Sequence, residues 1–113
     1  MSINSFAVSG RLGKKPMLKK FPDGRQVAEF TLAFHRSSKD RATGERQQVT
    51  DWYSCNYWGP LAERLCGEAI RGQAIFVSGS LALEPLDSGK VLAVITVDRY
   101  ELGRLPAKEE AGA

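Results

Sequence analysis

Trp52 and Trp58 stand six positions apart in the stretch Val49-Thr-Asp-Trp-Tyr-Ser-Cys-Asn-Tyr-Trp-Gly59, with Ser54 and Asn56 spaced evenly between them. In an extended strand alternate side chains share a face, so Trp52, Ser54, Asn56 and Trp58 point one way and Tyr53, Cys55 and Tyr57 the other. A dry core would leave Ser54 and Asn56 without partners, at about 1–3 kcal/mol for each unpaired group. The tryptophan face is therefore expected to be wet, with Tyr53, Cys55 and Tyr57 turned to the interior or to a subunit contact. Indoles exposed among polar residues suit one chemistry, the stacking of unpaired nucleobases on aromatic platforms. Six residues of strand span roughly 20 Å, room for several nucleotides. The competing reading buries both rings under loops or in a contact between subunits.

Charge agrees in direction. Residues 1–59 carry ten Lys or Arg against five Asp or Glu, a balance of +5, while the remainder holds six against eight, or −2. Such asymmetry points to a polyanion-binding face in the first half. Catalysis finds no comparable support. Asp51, Ser54 and His35 do not converge, because neighbouring strand positions face opposite sides and His35 has no evident orienting partner. Gly10-Arg-Leu-Gly-Lys14 has the wrong spacing for a phosphate loop and no helix follows it. With one histidine and two cysteines, Cys55 and Cys66, the ligands are too few for a zinc site. Asp40, Glu45 and Asp51 have no defensible metal spacing either, so no catalytic residue, metal or cofactor is expected.

The elements that must hold these residues are mostly strands. Phe6 and Val8 alternate with Ala7 and Ser9, Gly10 and Gly13 suggest a bulge or bend, and Pro16 to Leu18 resume an extended path. Pro22-Asp-Gly24 is a turn by its chemistry. A second strand is predicted over 26–36, then a long polar hairpin loop from Ser37 to Arg46, then a third strand ending at Trp58. Pro60 suits a first helical turn, and Leu61, Leu65 and Ala69 recur at helical spacing, which predicts a short helix over 60–70. Strands over 73–83 and 91–102 flank a turn at Asp87-Ser-Gly-Lys90. The expected fold is all-β, a five-stranded OB barrel with one short helix between strands 3 and 4. One domain is expected over residues 1–105, with a short disordered tail at 106–113.

No apolar run approaches the roughly 18 residues of a membrane-spanning helix, so no membrane partner is expected. The first residues lack the basic head and apolar core of a signal peptide, which makes the cytoplasm the expected compartment.

Several segments, taken in order, resemble the bacterial-type single-stranded DNA-binding proteins. They are Asn4-Ser-Phe-Ala-Val-Ser-Gly-Arg-Leu-Gly-Lys-Lys-Pro16, Phe21-Pro-Asp-Gly24, Val27-Ala-Glu-Phe-Thr-Leu-Ala33, Lys39-Asp-Arg-Ala-Thr-Gly-Glu45, Asp51-Trp-Tyr53, Trp58-Gly-Pro-Leu-Ala-Glu63, Arg71-Gly72 and Val77-Ser-Gly-Ser-Leu81. The resemblance runs over roughly residues 3–102. It implies homo-oligomeric OB barrels, most often tetramers and alternatively dimers, that coat single-stranded DNA of the nucleoid without strong sequence preference during replication, recombination and repair. By position it implies that Trp52 and Trp58 are stackers and that Lys19, Arg41 and Arg71 line the DNA path, with Ser54 and Asn56 between the two rings.

The departures are specific. Ser38 stands near one of the family's aromatic positions, Pro85 or Leu86 near another, and Ser54 and Pro60 occupy basic ones. The hairpin Leu83-Glu-Pro-Leu-Asp-Ser-Gly-Lys90 lacks the family's basic, aromatic character, and the family's acidic, phenylalanine-ended tip has no counterpart, so replication and repair proteins are not expected to dock through one. Two rivals stand beside this reading. One is a primosomal replication-restart protein of the same fold working mainly through protein partners, and the other is a protein-interaction barrel with interfacial tryptophans. Two stacked bases supply roughly 2–6 kcal/mol, at best tens-of-micromolar affinity. Phosphate contacts and several barrels on one strand must therefore contribute the rest.

Overall fold

The computed structural model describes residues 2–106, so that all but Pro106 of the tail expected at 106–113 lies outside the described residues. The elements run β1 (Phe6–Leu12), β2 (Met17–Lys20), β3 (Gln26–Lys39), β4 (Arg46–Trp58), α1 (Ala62–Glu68), β5 (Ala74–Pro85) and β6 (Val91–Leu102). The sheet order is β1-β5-β6-β4-β3-β2. β1 returns to β3 through Arg11 opposite Ala33 and Leu12 opposite Leu32, which closes the five long strands into a barrel. β4 and β6 run parallel, with Cys55 beside Ile95, and the other pairings are antiparallel. This is the expected OB fold, with the helix between the third and fourth barrel strands.

Closure depends on β1 leaving β5 and crossing to β3 within two residues. A Cβ at Gly10 would strike the Ala33 carbonyl oxygen and come within 2.7 Å of Leu32 Cδ2, so the two backbones can approach only where no side chain intervenes. The bend expected from Gly10 and Gly13 is therefore where the barrel joins itself.

Alternating residues from every barrel strand fill the interior: Leu12, Phe30, Leu32, Cys55, Ile75, Val77, Ile95 and Val97 are buried in one cluster. α1 caps this cluster with Ala62, Leu65 and Ala69, all fully buried. Burying Leu65 alone contributes about 1.5–3 kcal/mol. Around the cluster, Phe6 leans on Tyr53 at 5.5 Å between ring centroids, and Tyr57 meets the edge of Tyr100 at 5.1 Å.

Three expectations change. The extended path after Pro16 is a strand in its own right, β2, laid along the edge of β3 with Lys19 opposite Val27. The polar loop expected from Ser37 to Arg46 is mostly ribbon, because β3 and β4 stay paired out to Lys39 opposite Arg46 and the turn takes only the residues between. Polar residues form strands there because both faces of the ribbon are wet, and cross-strand pairs such as Arg36 Nε to Asp51 Oδ2 at 2.7 Å and His35 Nδ1 with Thr50 Oγ1 at 2.9 Å replace hydrophobic alternation. That hydrogen bond to Asp51, with the carboxylate's charge, raises the Arg36 pKa further. The helix is shorter than 60–70 and turned in phase: Leu61 is exposed and Ala62 takes the inward position. It ends at Ala69, whose backbone is extended, and the Gln73 side chain accepts the next N–H, from Ile70, at 3.2 Å.

Gly10→Ala is expected to lower stability by about 1–3 kcal/mol, seen as a lower urea midpoint with an unchanged slope. Burial pushes the Cys55 thiol up to about 12 from an ordinary value of about 9. The folded chain thus keeps a proton that the unfolded chain releases, so this part of the stability is present below pH 9 and fades as pH rises toward 12. The stability gap between the parent and Cys55→Ala should accordingly narrow across that alkaline window.

Candidate nucleic-acid interface

Residues directly opposite each other in a sheet share a face, so the registers define the outer surface row by row. The first row is Lys19, Val27 and Trp58, and the second is Met17, Glu29 and Asn56. Thr31 and Ser54 make the third, Arg11, Ala33 and Trp52 the fourth. Both indoles are thus on one outward face, Trp52 57 % and Trp58 44 % exposed, while Cys55 between them is sealed inside. Tyr53 and Tyr57 pack against the core from the opposite side, which settles their direction as interior.

Between the rings runs a groove of about 260 Å³ lined by Lys14, Lys15, Met17, Glu29, Ser54 and Asn56. Ser54 and Asn56 are half-buried in its floor, as a wetted polar face requires. The Trp52 ring lies over Gly13: a Cβ there would fall 2.7 Å from Trp52 Cζ3 and 2.6 Å from Thr31 Oγ1. Gly13 is itself held by its N–H donating to the Thr31 carbonyl at 3.0 Å. The indole therefore has a defined seat with its outer surface open.

The basic residues divide by what neutralises them. Lys19 is on the Trp58 row as expected, but its Nζ is 2.9 Å from Glu29 Oε1, so a phosphate has to share it. Arg11 and Lys15 instead donate to backbone carbonyls, Arg11 Nη1 to Gly72 at 2.9 Å and Lys15 Nζ to Ala69 at 3.1 Å. Carbonyls carry no full charge, and neither cation has an ion-pair partner among the described residues, so Lys15 keeps its charge in the groove's lining and Arg11 keeps its own in the row of Trp52, where it shares a separate hollow with Glu101. Arg71, exposed in the turn after α1, directly precedes Gly72 and so stands by Arg11 at the Trp52 end of the face. Arg41 is apart from this set, in the exposed turn beyond the Lys39–Arg46 pair, a pair that is itself six residues and roughly 20 Å up the ribbon from Trp52.

Sequence reasoning missed Arg11, Lys14, Lys15, Phe21 and Arg25 as members of this surface. The uneven charge balance contained all of these but Phe21, yet only the pairing of β1, β2 and β3 assembles them. Phe21 stacks on Trp58 with 5.6 Å between centroids and 21° between planes, an arrangement made by the β2–β3 turn folding back on β4. The β5–β6 hairpin presents exposed Leu83, Leu86 and Val91 and no aromatic ring, with Lys90 its one basic group.

The sequence profile of the Single-strand binding protein family matches residues 3–97. The chain belongs to that family. Among solved structures, an SSB of Plasmodium falciparum in complex with single-stranded DNA is similar at 25 % identity and a TM-score of 0.72, with 93 % of this chain and 96 % of that one covered. The single-stranded DNA binding protein from Thermus aquaticus, solved as a deletion mutant, shares the fold at 22 % identity and a TM-score of 0.75. The match takes in 90 % of this chain, which spans about half, 51 %, of the Thermus aquaticus chain.

Gly13→Ala is expected to unseat the Trp52 ring and leave Trp58 in place. Tryptophan emission of Gly13→Ala should therefore shift in a Trp58→Phe background and stay as it was in a Trp52→Phe background.

Proposed function

We propose that this chain binds single-stranded DNA largely without sequence preference, laying bases on Trp52 and Trp58 while basic residues take the phosphates. One observation carries the reading: two half-exposed indoles on a single outward face, with a polar groove between them, Lys15 in its lining and Arg11 in the row of Trp52, both without an ion-pair partner among the described residues. Family membership and the likeness to a structure holding single-stranded DNA support it. Stacking is tolerant of base identity because every base has a flat face, and a groove floored by Ser54 and Asn56 leaves an extended strand room to slide.

In this reading Lys14, Lys15, Arg11 and Arg71 form the phosphate path. Lys19 contributes when a phosphate displaces or shares Glu29, and Arg41 meets a strand only if it continues along the ribbon. Several barrels in a homo-oligomer, a tetramer before a dimer, would raise the effective concentration of the second and later contacts. The work is that of a binding protein guarding exposed strands during replication, recombination and repair, in the cytoplasm where the nucleoid lies.

The test is titration of thymine oligomers of increasing length at several salt concentrations. Trp52→Ala and Trp58→Ala should each weaken binding about fivefold to a hundredfold without changing the salt slope. Lys14→Ala and Lys15→Ala should each make the slope shallower by about 0.7 for every phosphate that the variant no longer neutralises. Binding by both tryptophan variants equal to the parent's would overturn the assignment of this face.

A further inference from the structure

The two indoles are not equivalent. Trp52 rests on Gly13, whereas Trp58 is one corner of a three-membered cluster. The Arg25 Cζ atom lies 5.5 Å from the Trp58 ring centre and 5.7 Å from that of Phe21, and the two rings are 5.6 Å apart, so the three groups form a nearly equilateral triangle. The β2–β3 turn holds the triangle in shape: Phe21 N–H donates to the Arg25 carbonyl at 2.8 Å and Gly24 N–H to the Phe21 carbonyl at 3.0 Å. Phe21 remains 37 % exposed and Trp58 44 %, and a hollow of about 500 Å³ opens beside them, bordered by Asp23, Arg25, Gln26 and Pro60.

Arg25 differs from the phosphate-facing cations. Asp23 accepts from its Nε at 2.7 Å and from its backbone N–H at 3.0 Å, which makes the pair neutral overall. A phosphate approaching it meets repulsion from Asp23 along with attraction from Arg25. A base edge carries no net charge, so the Asp23 carboxylate does not repel it as it repels a phosphate, and it can accept from the guanidinium's terminal N–H donors, which make no hydrogen bond among the described residues. Two such donors in a fixed fork match the O6 and N7 acceptors of guanine.

We propose that Phe21 and Arg25 complete a preformed base-binding subsite with Trp58, in which a base stacks on the aromatic pair and guanine is favoured through the Arg25 fork. The inference rests on the nucleic-acid reading above and gives one end of the face a preference that Trp52 lacks. Because Phe21 already fixes the indole, a base stacking there immobilises no further side chain.

The test compares a thymine oligomer with the same oligomer carrying isolated guanines, spaced so that quadruplexes cannot form, using the full chain. The parent should bind the guanine-bearing oligomer about fivefold tighter. That preference should vanish in Arg25→Ala and in Arg25→Lys, which keeps the charge and loses the fork, and should shrink when 7-deazaguanine removes the N7 acceptor. Phe21→Ala should weaken both oligomers about threefold to tenfold with an unchanged salt slope, its fold checked by circular dichroism. No guanine preference in the parent, a preference that survives Arg25→Ala, or tighter binding by Phe21→Ala would each overturn the subsite, the last because Phe21 would then be competing with the base. If the parent and Trp52→Ala behave as expected for thymine, only the subsite has failed; if the parent binds neither oligomer, both readings have.

Discussion

Phe30 opposite Cys55, in the long antiparallel pairing of β3 with β4, is the register on which the molecule depends. A slip of one residue would turn every side chain of β4 to the other face, burying two indoles with Ser54 and Asn56 and exposing Cys55 with two tyrosines. Cys55 is sealed between Phe30 on one side and Ile95 on the other, so the slip would empty the centre of the core and leave polar groups unpaired inside it. The same constraint that builds the barrel therefore presents the aromatic face, and stability and binding surface cannot be varied separately along β4.

Electrostatics refines that surface more than it creates it. Lys19 with Glu29 and Arg25 with Asp23 are neutral pairs, and on an exposed face each contributes at most about 1 kcal/mol to stability. On the proposed reading their larger effect is on which part of a nucleic acid they would admit, since a neutral pair discriminates against phosphate while keeping directional donors. Arg11 and Lys15, tied to carbonyls at the α1–β5 turn, keep their charge and sit nearer Trp52. The face is thus graded, with net positive charge at one end and an aromatic cluster around a balanced guanidinium at the other.

Much of this was legible in the residues. Period-two alternation from Trp52 to Trp58 put both rings on the face of Ser54 and Asn56 and favoured the outside, leaving cover by loops or a second subunit as the competing reading, and turn chemistry at Pro22-Asp-Gly24 and Asp87-Ser-Gly-Lys90 located two hairpins. The ribbon beyond Arg36 was not legible, since its strands are held by cross-strand hydrogen bonds with no apolar face to advertise them. The helix phase was legible at Leu65 and Ala69, both buried, but not at its start, where Leu61 and Ala62 compete for one inward position. The inward site went to the smaller side chain: Ala62 is fully buried and Leu61 exposed.

Which segments extend as strands and which way their side chains alternate are mostly local properties, set by alternation, turn residues and the placement of glycine, and the amino-acid sequence determined most of them by itself. Which cations face the groove, and that Phe21 and Arg25 gather on Trp58, depended on strands far apart in the chain coming into register. Contacts of that kind arise from barrel closure: β1 reaches β3 only because Gly10 lets two backbones touch, and that approach brings Arg11 into the row of Trp52.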